Sequence, residues 1–428
     1  MCLQKIIETK DKIYLYDALS NSITDVDDKN INNSRHPPYT DFNIKYHYKD
    51  SELLNIIDNS MCSVTLVLTE QCSLRCQYCG YMPKYQNTEC KLKNMDESVA
   101  LRSIELLMNS SKNSKYVYVC FYGGEPLLQF DLITKCVNYC KKKYPFKMPV
   151  FHVVTNGLNF NQEIIKYLVE NDFYLNISFD GPRSIQDRYR LDMHGKPSFD
   201  RVFNNLIELY KHNPKYFKTH VTFNSVVTPN TGTHEQYAFL ENLCKTDILM
   251  IDVNPTEYFL KLLAAEQNIT VSEKIGDIYE YSVFKKPILK NMQKYHMALK
   301  VSVNNRDILP GGFCIPGVRK NFITVDGKIV VCEKVNEDNE TFCIGNVSTG
   351  IDLQKVRNLV EKTLEKTQKC KDCWAAKFCK LCFKDIFDLT NEFCEKARNM
   401  VEKDLIYYIE NIRPNKKIIN YLENLSTH

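Results

Sequence analysis

Cys72-Ser-Leu-Arg-Cys76-Gln-Tyr-Cys79 is the stretch that decides how this chain is read. Three thiolates at CxxxCxxC spacing can hold three irons of a cubane [4Fe–4S] cluster. They leave the fourth iron without a protein ligand, where most iron–sulfur proteins supply four cysteines. An open iron is a coordination site for a substrate or cofactor. The competing readings are a zinc site or chance spacing in a cysteine-rich chain. Just upstream, Met61 to Leu68 (MCSVTLVL) is apolar and β-branched, which predicts a buried strand feeding the cysteine loop.

Working outward, Val117 to Tyr122 predicts a second buried strand, which runs into Gly123-Gly124-Glu125-Pro126. Two glycines let the backbone turn sharply and approach a ligand closely, and Glu125 offers a carboxylate beside them. Alone, a GGxP sequence reads as a loop. Further strands are predicted at Pro149 to Val154, Phe173 to Phe179, Thr219 to Val227 and Ile248 to Val253. Helices are predicted at Gln162 to Asn171, Ser198 to His212 and His234 to Cys244. Strand–helix alternation implies a parallel sheet with connections of one hand, whose ligand groups gather at the C-terminal strand ends. The cysteine loop, GGEP, Thr155-Asn156-Gly157 and Asp180-Gly181-Pro182 all follow such ends.

CxxxCxxC with Tyr78 before its last cysteine, followed by GGEP, resembles the signature of the radical S-adenosylmethionine (SAM) superfamily. The resemblance implies a partial (β/α)6 barrel whose Cys72/Cys76/Cys79 cluster binds SAM through the open iron. Reductive cleavage would then give methionine and a 5′-deoxyadenosyl radical. It also implies that the GGEP element, Gly123 to Pro126, receives the SAM amino group. Ser178, Asp180, Arg190 and Asn224 match positions that bind SAM ribose and carboxylate in relatives. Arg190 is suited to a carboxylate as a fork donor; otherwise Asp180-Gly-Pro is a plain turn and Arg190 a surface charge.

A second cysteine-dense region starts at Cys314, with Gly327 and Cys332 following. Then come Cys370, Cys373, Cys379, Cys382 and finally Cys394. This resembles the SPASM domain of radical SAM peptide-modifying enzymes, whose pattern is CX9–15GX4C, then CX2CX5CX3C, then a distant Cys. The final short spacing here is two residues instead of three. The resemblance implies two auxiliary clusters, one on Cys370, Cys373, Cys379 and Cys394, the other on Cys314, Cys332 and Cys382. With the SAM-binding cluster, that makes three [4Fe-4S] clusters. No cysteine lies between Cys244 and Cys314 to complete the latter set. Its iron would be open to a substrate thiolate unless Cys343 reaches it. A zinc knuckle is the competing reading of the CxxC pairs.

Eighteen cysteines in 428 residues, with no apolar stretch near the N-terminus resembling a secretory signal, predict a cytoplasmic, metal-using protein. No apolar run is long enough for a membrane span, and a net charge of +4 without basic runs argues against nucleic acid as a partner. The expected organisation is a small N-terminal segment (1–60), a radical SAM core (61–270), a helical bridge (271–310), and the SPASM region with a C-terminal helix (311–428). The first segment predicts a short strand meander, either a cap or a leader-peptide recognition element that pairs with an extended peptide.

The expected activity is that of a ribosomal-peptide maturase. Hydrogen is abstracted from a leader-bearing precursor peptide, and a cysteine thiolate captures the carbon to form a thioether. A ferredoxin or flavodoxin is the expected electron donor. Three alternatives remain: an anaerobic sulfatase-maturating enzyme, a radical C–C or C–O cross-linker, and a non-catalytic metal-binding peptide scaffold. The sulfatase-maturing relatives place an Asp base after the GX4C cysteine; Glu333 stands there in this chain.

Overall fold

The computed structural model describes residues 3–18, 20–26, 49–87, 89–226, 236, 239, 280–282, 287–300, 314–387 and 389–424. They fall into two compact units. One is built from Cys62–Phe284 with Phe322–Gly327, the other from the N-terminal residues, Lys285–Asn321 and Lys328–His428.

The N-terminal residues form an antiparallel meander of β1 (Gln4–Glu8), β2 (Ile13–Asp17) and β3 (Ser22–Asp25), as expected. Helix α1 (Asp50–Ser60) follows, its N-terminal Lys49 N–H capped by Glu52 at 3.0 Å. Ile7, Tyr16 and Ala18 of the meander share a core with Tyr295, Trp374, Phe378, Val401 and Leu405. Burying such side chains contributes on the order of 2 kcal/mol each, so the meander is anchored in this unit's own core. Here too lie the antiparallel strands β11 (Lys328–Val330), β12 (Cys343–Asn346) and β13 (Gly350–Ile351). The helix Asn391–Tyr407 carries Cys394.

The other unit carries the predicted α/β pattern. Strands β4 (Ser63–Thr69), β5 (Tyr116–Gly123), β6 (Met148–Thr155), β7 (Tyr174–Ser178) and β8 (Val221–Val226) pair in sequence order, all parallel. Their buried positions alternate: Val117, Val119 and Phe121 on β5, Phe151 and Val153 on β6, Leu175 and Ile177 on β7. This period of two puts one face of the sheet under helices such as α2 (Glu97–Asn109), α3 (Phe130–Lys143), α4 (Gln162–Glu170) and α5 (Phe199–His212). Two further pairings were not expected. Glu280–Ser282 (β9) lies antiparallel to β8, and Phe322–Ile323 (β10) lies parallel to β4.

Several expectations shift. The helix predicted from about Ser272 begins, within the described residues, at Pro287, and its Glu280–Ser282 portion is strand instead. Isolated periodicity cannot see a partner strand, and β8 supplies one. The strand expected from Thr219 begins at Val221, because Pro214 at the first helical position and Asn213 as its cap start a helix, Pro214–His220. The strand predicted at Ile248 to Val253 and nearly all of the helix at His234 to Cys244 lie outside the described residues.

Candidate active site

Strand β4 delivers the cysteine loop, and hydrogen bonds reach each of its three thiols. Cys72 Sγ accepts from Leu74 N–H at 3.4 Å and from Asn156 Nδ2 at 3.5 Å. Cys79 Sγ accepts from Tyr81 N–H at 3.4 Å. Cys76 Sγ accepts from an Arg190 guanidinium nitrogen at 3.9 Å. Arg75 closes the loop on itself, donating to the carbonyls of Cys72 and Leu74 at 2.7 and 2.8 Å while its guanidinium lies 4.2 Å from the Tyr85 ring. Burial pushes the Cys72 thiol up to about 12, helped by the nearby Glu125 charge, and raises Cys76 and Cys79 as well. Such thiols become thiolates through metal coordination, and N–H donors aimed at sulfur are what an iron–sulfur ligand set needs. The donor set therefore fits a cluster held by three cysteines.

GGEP is packed against the root of this loop. Gly123 has φ 131°, and a Cβ there would sit 2.3 Å from Thr69 O; a Cβ on Gly124 would sit 2.2 Å from Gln71 O. Gly124 N–H and Glu125 N–H donate to those two carbonyls at 2.7 and 2.8 Å. The close approach that the glycines permit is thus to the chain's own backbone. Pro126, buried, opens the short turn Pro126–Gln129.

Glu125 does not present its carboxylate outward. It is fully buried, and it accepts from Leu127 N–H (3.1 Å), Thr155 Oγ1 (2.7 Å) and Asn156 N–H (2.8 Å). Burial raises it to about 7, against the pull of these donors. Its structural work is to tie GGEP to the end of β6. There Asn156 continues the chain of contacts, its side-chain amide reaching Cys72 and also Ser73 Oγ at 3.4 Å. Thr155 and Asn156 were not among the sequence-derived site residues. Their only signal was a polar pair at the C-terminal end of a predicted strand.

Of the remaining expected SAM contacts, Ser178 at the end of β7 is the register partner of Asn224 within β8. Asp180 and Arg190 meet each other. Arg190 Nε and Nη2 fork onto the Asp180 carboxylate at 2.9 and 3.0 Å, in a pair where neither side chain is more than 7% exposed. Asp180 also accepts from Val226 N–H at 2.9 Å and from the Tyr78 hydroxyl. Tyr78 lies under the guanidinium, 5.2 Å from its ring centroid. Arg190 is therefore not a surface charge, and the carboxylate in its fork belongs to the protein.

The cysteines of the second dense region lie in the other unit. Cys370 lies within electrostatic reach of Cys379, Cys373 and Cys394, and Cys379 of Cys373 and Cys394. Cys332 is coupled to Cys314. The strongest charge acting on Cys382 is that of Asp385. Cys343 is buried in β12, where its thiol donates to Gly345 O at 3.5 Å and accepts from Lys355 Nζ at 3.8 Å. Glu333 forms an ion pair with Lys320. Burial alone would lower Lys320, but Glu333, Cys332 and Cys314 carry it upward. Among the described residues, no three Cys, His, Asp or Glu side chains converge as a single metal ion requires.

Comparison with known proteins agrees with this geometry. Residues 66–241 match the family model described as the radical SAM superfamily. A cysteine-type anaerobic sulfatase-maturating enzyme of Clostridium novyi is 26% identical over 365 residues, covering 79% of this chain and 93% of that protein. The radical SAM cyclopropyl synthase TigE of Paramaledivibacter caminithermalis is 27% identical over 235 residues, 52% of this chain and 47% of the synthase. Among solved structures, native anSMEcpe with bound AdoMet and Cp18Cys peptide superposes with a TM-score of 0.53 at 21% identity. That superposition covers 85% of this chain and 100% of the other. The radical SAM match spans residues 66–241, less than half of the chain, and the similarity is to enzymes of that class. That likeness implies SAM and a [4Fe–4S] cluster, for which Cys72, Cys76 and Cys79 are the fitting ligands.

Proposed function

We propose that this enzyme is a peptide maturase that joins a cysteine sulfur to a carbon of a ribosomally made precursor peptide as a thioether. The observation that carries the reading is the state of Cys343, whose thiol is engaged by Gly345 and Lys355. That engagement supports a Cys314/Cys332 group short of a fourth protein thiolate among the described residues, with Cys382 as its expected third member. A position left open there suits a substrate thiolate. The second auxiliary cluster, on Cys370, Cys373, Cys379 and Cys394, is expected to be fully ligated.

When bound, SAM and a cluster held by Cys72, Cys76 and Cys79 would supply a 5′-deoxyadenosyl radical able to take one hydrogen atom from the peptide. The chain's own residues do the rest. GGEP and Asn156 fix the cysteine loop. Ser178 and Asn224 offer polar side chains on adjacent strands for the SAM ribose and carboxylate. Glu333, after release from its ion pair with Lys320, would accept the proton of a substrate thiol. As the C–S bond forms, one further electron would leave to the auxiliary iron–sulfur clusters, so the peptide loses two hydrogens in all. The partners implied are a precursor peptide with a leader and a ferredoxin- or flavodoxin-type donor.

A second reading, oxidation of a Cys or Ser side chain to formylglycine, is favoured by the C. novyi relative, which this chain matches along most of that protein's length. Anaerobic incubation with SAM, a reductant and a cysteine-rich peptide, followed by mass spectrometry with thiol alkylation, separates the two. A loss of two hydrogens with fewer alkylatable thiols, not restored by reducing agents, supports the thioether. Conversion of a sulfatase-type peptide to its aldehyde supports the second reading. Loss of two hydrogens with all thiols free points to a C–C or C–O cross-link.

A further inference from the structure

The cysteine loop is gripped by a second stretch of backbone. Arg75 N–H donates to Leu191 O at 2.7 Å, Gln77 N–H to Tyr189 O at 3.0 Å, and Met193 N–H to Ser73 O at 3.2 Å. Leu74 and Asp192 form an antiparallel bridge. Residues 73–77 and 189–193 thus make a short antiparallel ladder, entered from the helix Arg183–Tyr189. Arg190 stands in the middle of it. Side chains alternate along extended backbone, and the Arg190 side chain runs to the interior, 6% exposed, where its guanidinium meets Asp180 and Cys76.

The three cysteines are treated unequally. Cys72 accepts from a backbone amide and the Asn156 carboxamide, and Cys79 from backbone amides, all neutral donors, with Arg190 and Arg75 acting on Cys79 only through their charge. Cys76 is approached by a cation. The cation is held in place: two of its nitrogens are committed to Asp180, and Tyr78 lies against its face. Asp180 divides its charge among Arg190, Tyr78 and Val226 N–H; it acts on Cys76 in the opposite sense, but more weakly than the guanidinium, whose Nη1 lies 3.9 Å from the sulfur.

We propose that Arg190 is a positioning residue that raises the reduction potential of the cluster on Cys72, Cys76 and Cys79 through Cys76, and that it is not a ligand of the SAM carboxylate. Reduction adds one electron from an external low-potential donor; no bond forms or breaks. A fixed cation in a buried site stabilises the more negative, reduced state more than the oxidised one, and hydrogen bonds to ligand sulfur act in the same direction. Charge-assisted donors are roughly twice as strong as neutral ones, so Cys76 is the most effective point of leverage. The proposal rests on the radical SAM chemistry and is independent of which peptide bond the enzyme makes.

The test uses the full chain, reconstituted anaerobically, with Arg190→Gln and Arg190→Lys. The open-iron cluster is identified by the change of its reduced EPR signal on adding SAM, and its midpoint is measured without SAM. In Arg190→Gln the one-electron reduction constant is expected to fall about tenfold or more, which is about 59 mV. SAM affinity, by equilibrium binding to the oxidised protein, should stay close to that of the parent. A direct ligand to the SAM carboxylate would instead cost about tenfold or more in Kd. Lost SAM affinity at an unchanged midpoint overturns the proposal, as does an unchanged midpoint alone. If the Gln variant fails to hold its cluster, Arg190→Lys decides: a lowered midpoint supports the role and an unmoved one refutes it. Failure of the parent enzyme to cleave SAM would instead count against the wider radical SAM reading.

Discussion

Replacing Glu125 by Gln tests whether the GGEP carboxylate is a buried structural acceptor. In the folded protein its pKa stands at about 7, against 4.5 for an ordinary Glu, and burial is the leading cause. Folding thus favours the protonated form. Below pH 4.5 both states carry the proton and the group costs nothing extra. As pH rises from 4.5 to about 7 the unfolded chain ionises first, so stability falls; above about 7 both are ionised and the loss is complete. The span of about 2.5 pH units corresponds to about 3 kcal/mol at 1.36 kcal/mol per unit. Gln cannot titrate, so Glu125→Gln should remove that slope. It also places an amide N–H against Asn156 N–H, or against Leu127 N–H and Thr155, which costs about 1–3 kcal/mol for the backbone donor left unpaired. The assay is urea unfolding of the metal-free, reduced protein at intervals from pH 4.5 to 8. The difference between parent and variant isolates this residue from the other titrating groups. At low pH the variant should be the less stable of the two, and the gap should close toward pH 7. A difference that stays constant with pH would show that Glu125 ionises normally and would refute the buried-acceptor account.

Three further perturbations have defined outcomes. Cys76→Ala should abolish 5′-deoxyadenosine formation while iron remains at the SPASM-region cysteines, measured by product chromatography and iron analysis. Gly124→Ala would bring a Cβ to 2.2 Å from Gln71 O, a backbone atom that cannot yield cheaply; it should cost about 3 kcal/mol or more and reduce iron incorporation at the cysteine loop, read by thermal unfolding and metal content. Cys343→Ala should leave total iron and sulfide unchanged, because its thiol is engaged by Gly345 and Lys355; loss of four irons would make it a cluster ligand.

The parts of the fold that were legible are those set by local pattern. The runs at Ser63–Thr69, Tyr116–Gly123 and Met148–Thr155 are long, apolar and followed by turn residues, so their type and order could be read directly. The strand Glu280–Ser282 was not legible: three residues carry no periodicity, and only the facing edge of β8 makes them a strand. The helix Pro214–His220 was hidden for a different reason, since its caps are local but it abuts the next strand without a gap.

The site divides along the same line. The candidate ligands stand out in the sequence because metal chemistry demands particular atoms at particular spacings, and no other residue substitutes for three thiolates. What each polar neighbour does was not readable, because a carboxylate or guanidinium has the same letter whether it faces a ligand or another side chain. Glu125, Asp180 and Arg190 show the consequence. From sequence each is a free charge at a strand end, available to a cofactor. In the fold Glu125 is filled by Leu127, Thr155 and Asn156, and Asp180 is filled by Arg190, Tyr78 and Val226. Buried charges persist only when paired or heavily hydrogen-bonded, so a charged residue at the C-terminal end of a buried strand has its partners chosen by the fold before any ligand arrives. In this enzyme those partners lead back to the cysteine loop: Glu125 through Asn156 to Cys72, Asp180 through Arg190 to Cys76. The charges around the site therefore act first on the cluster ligands.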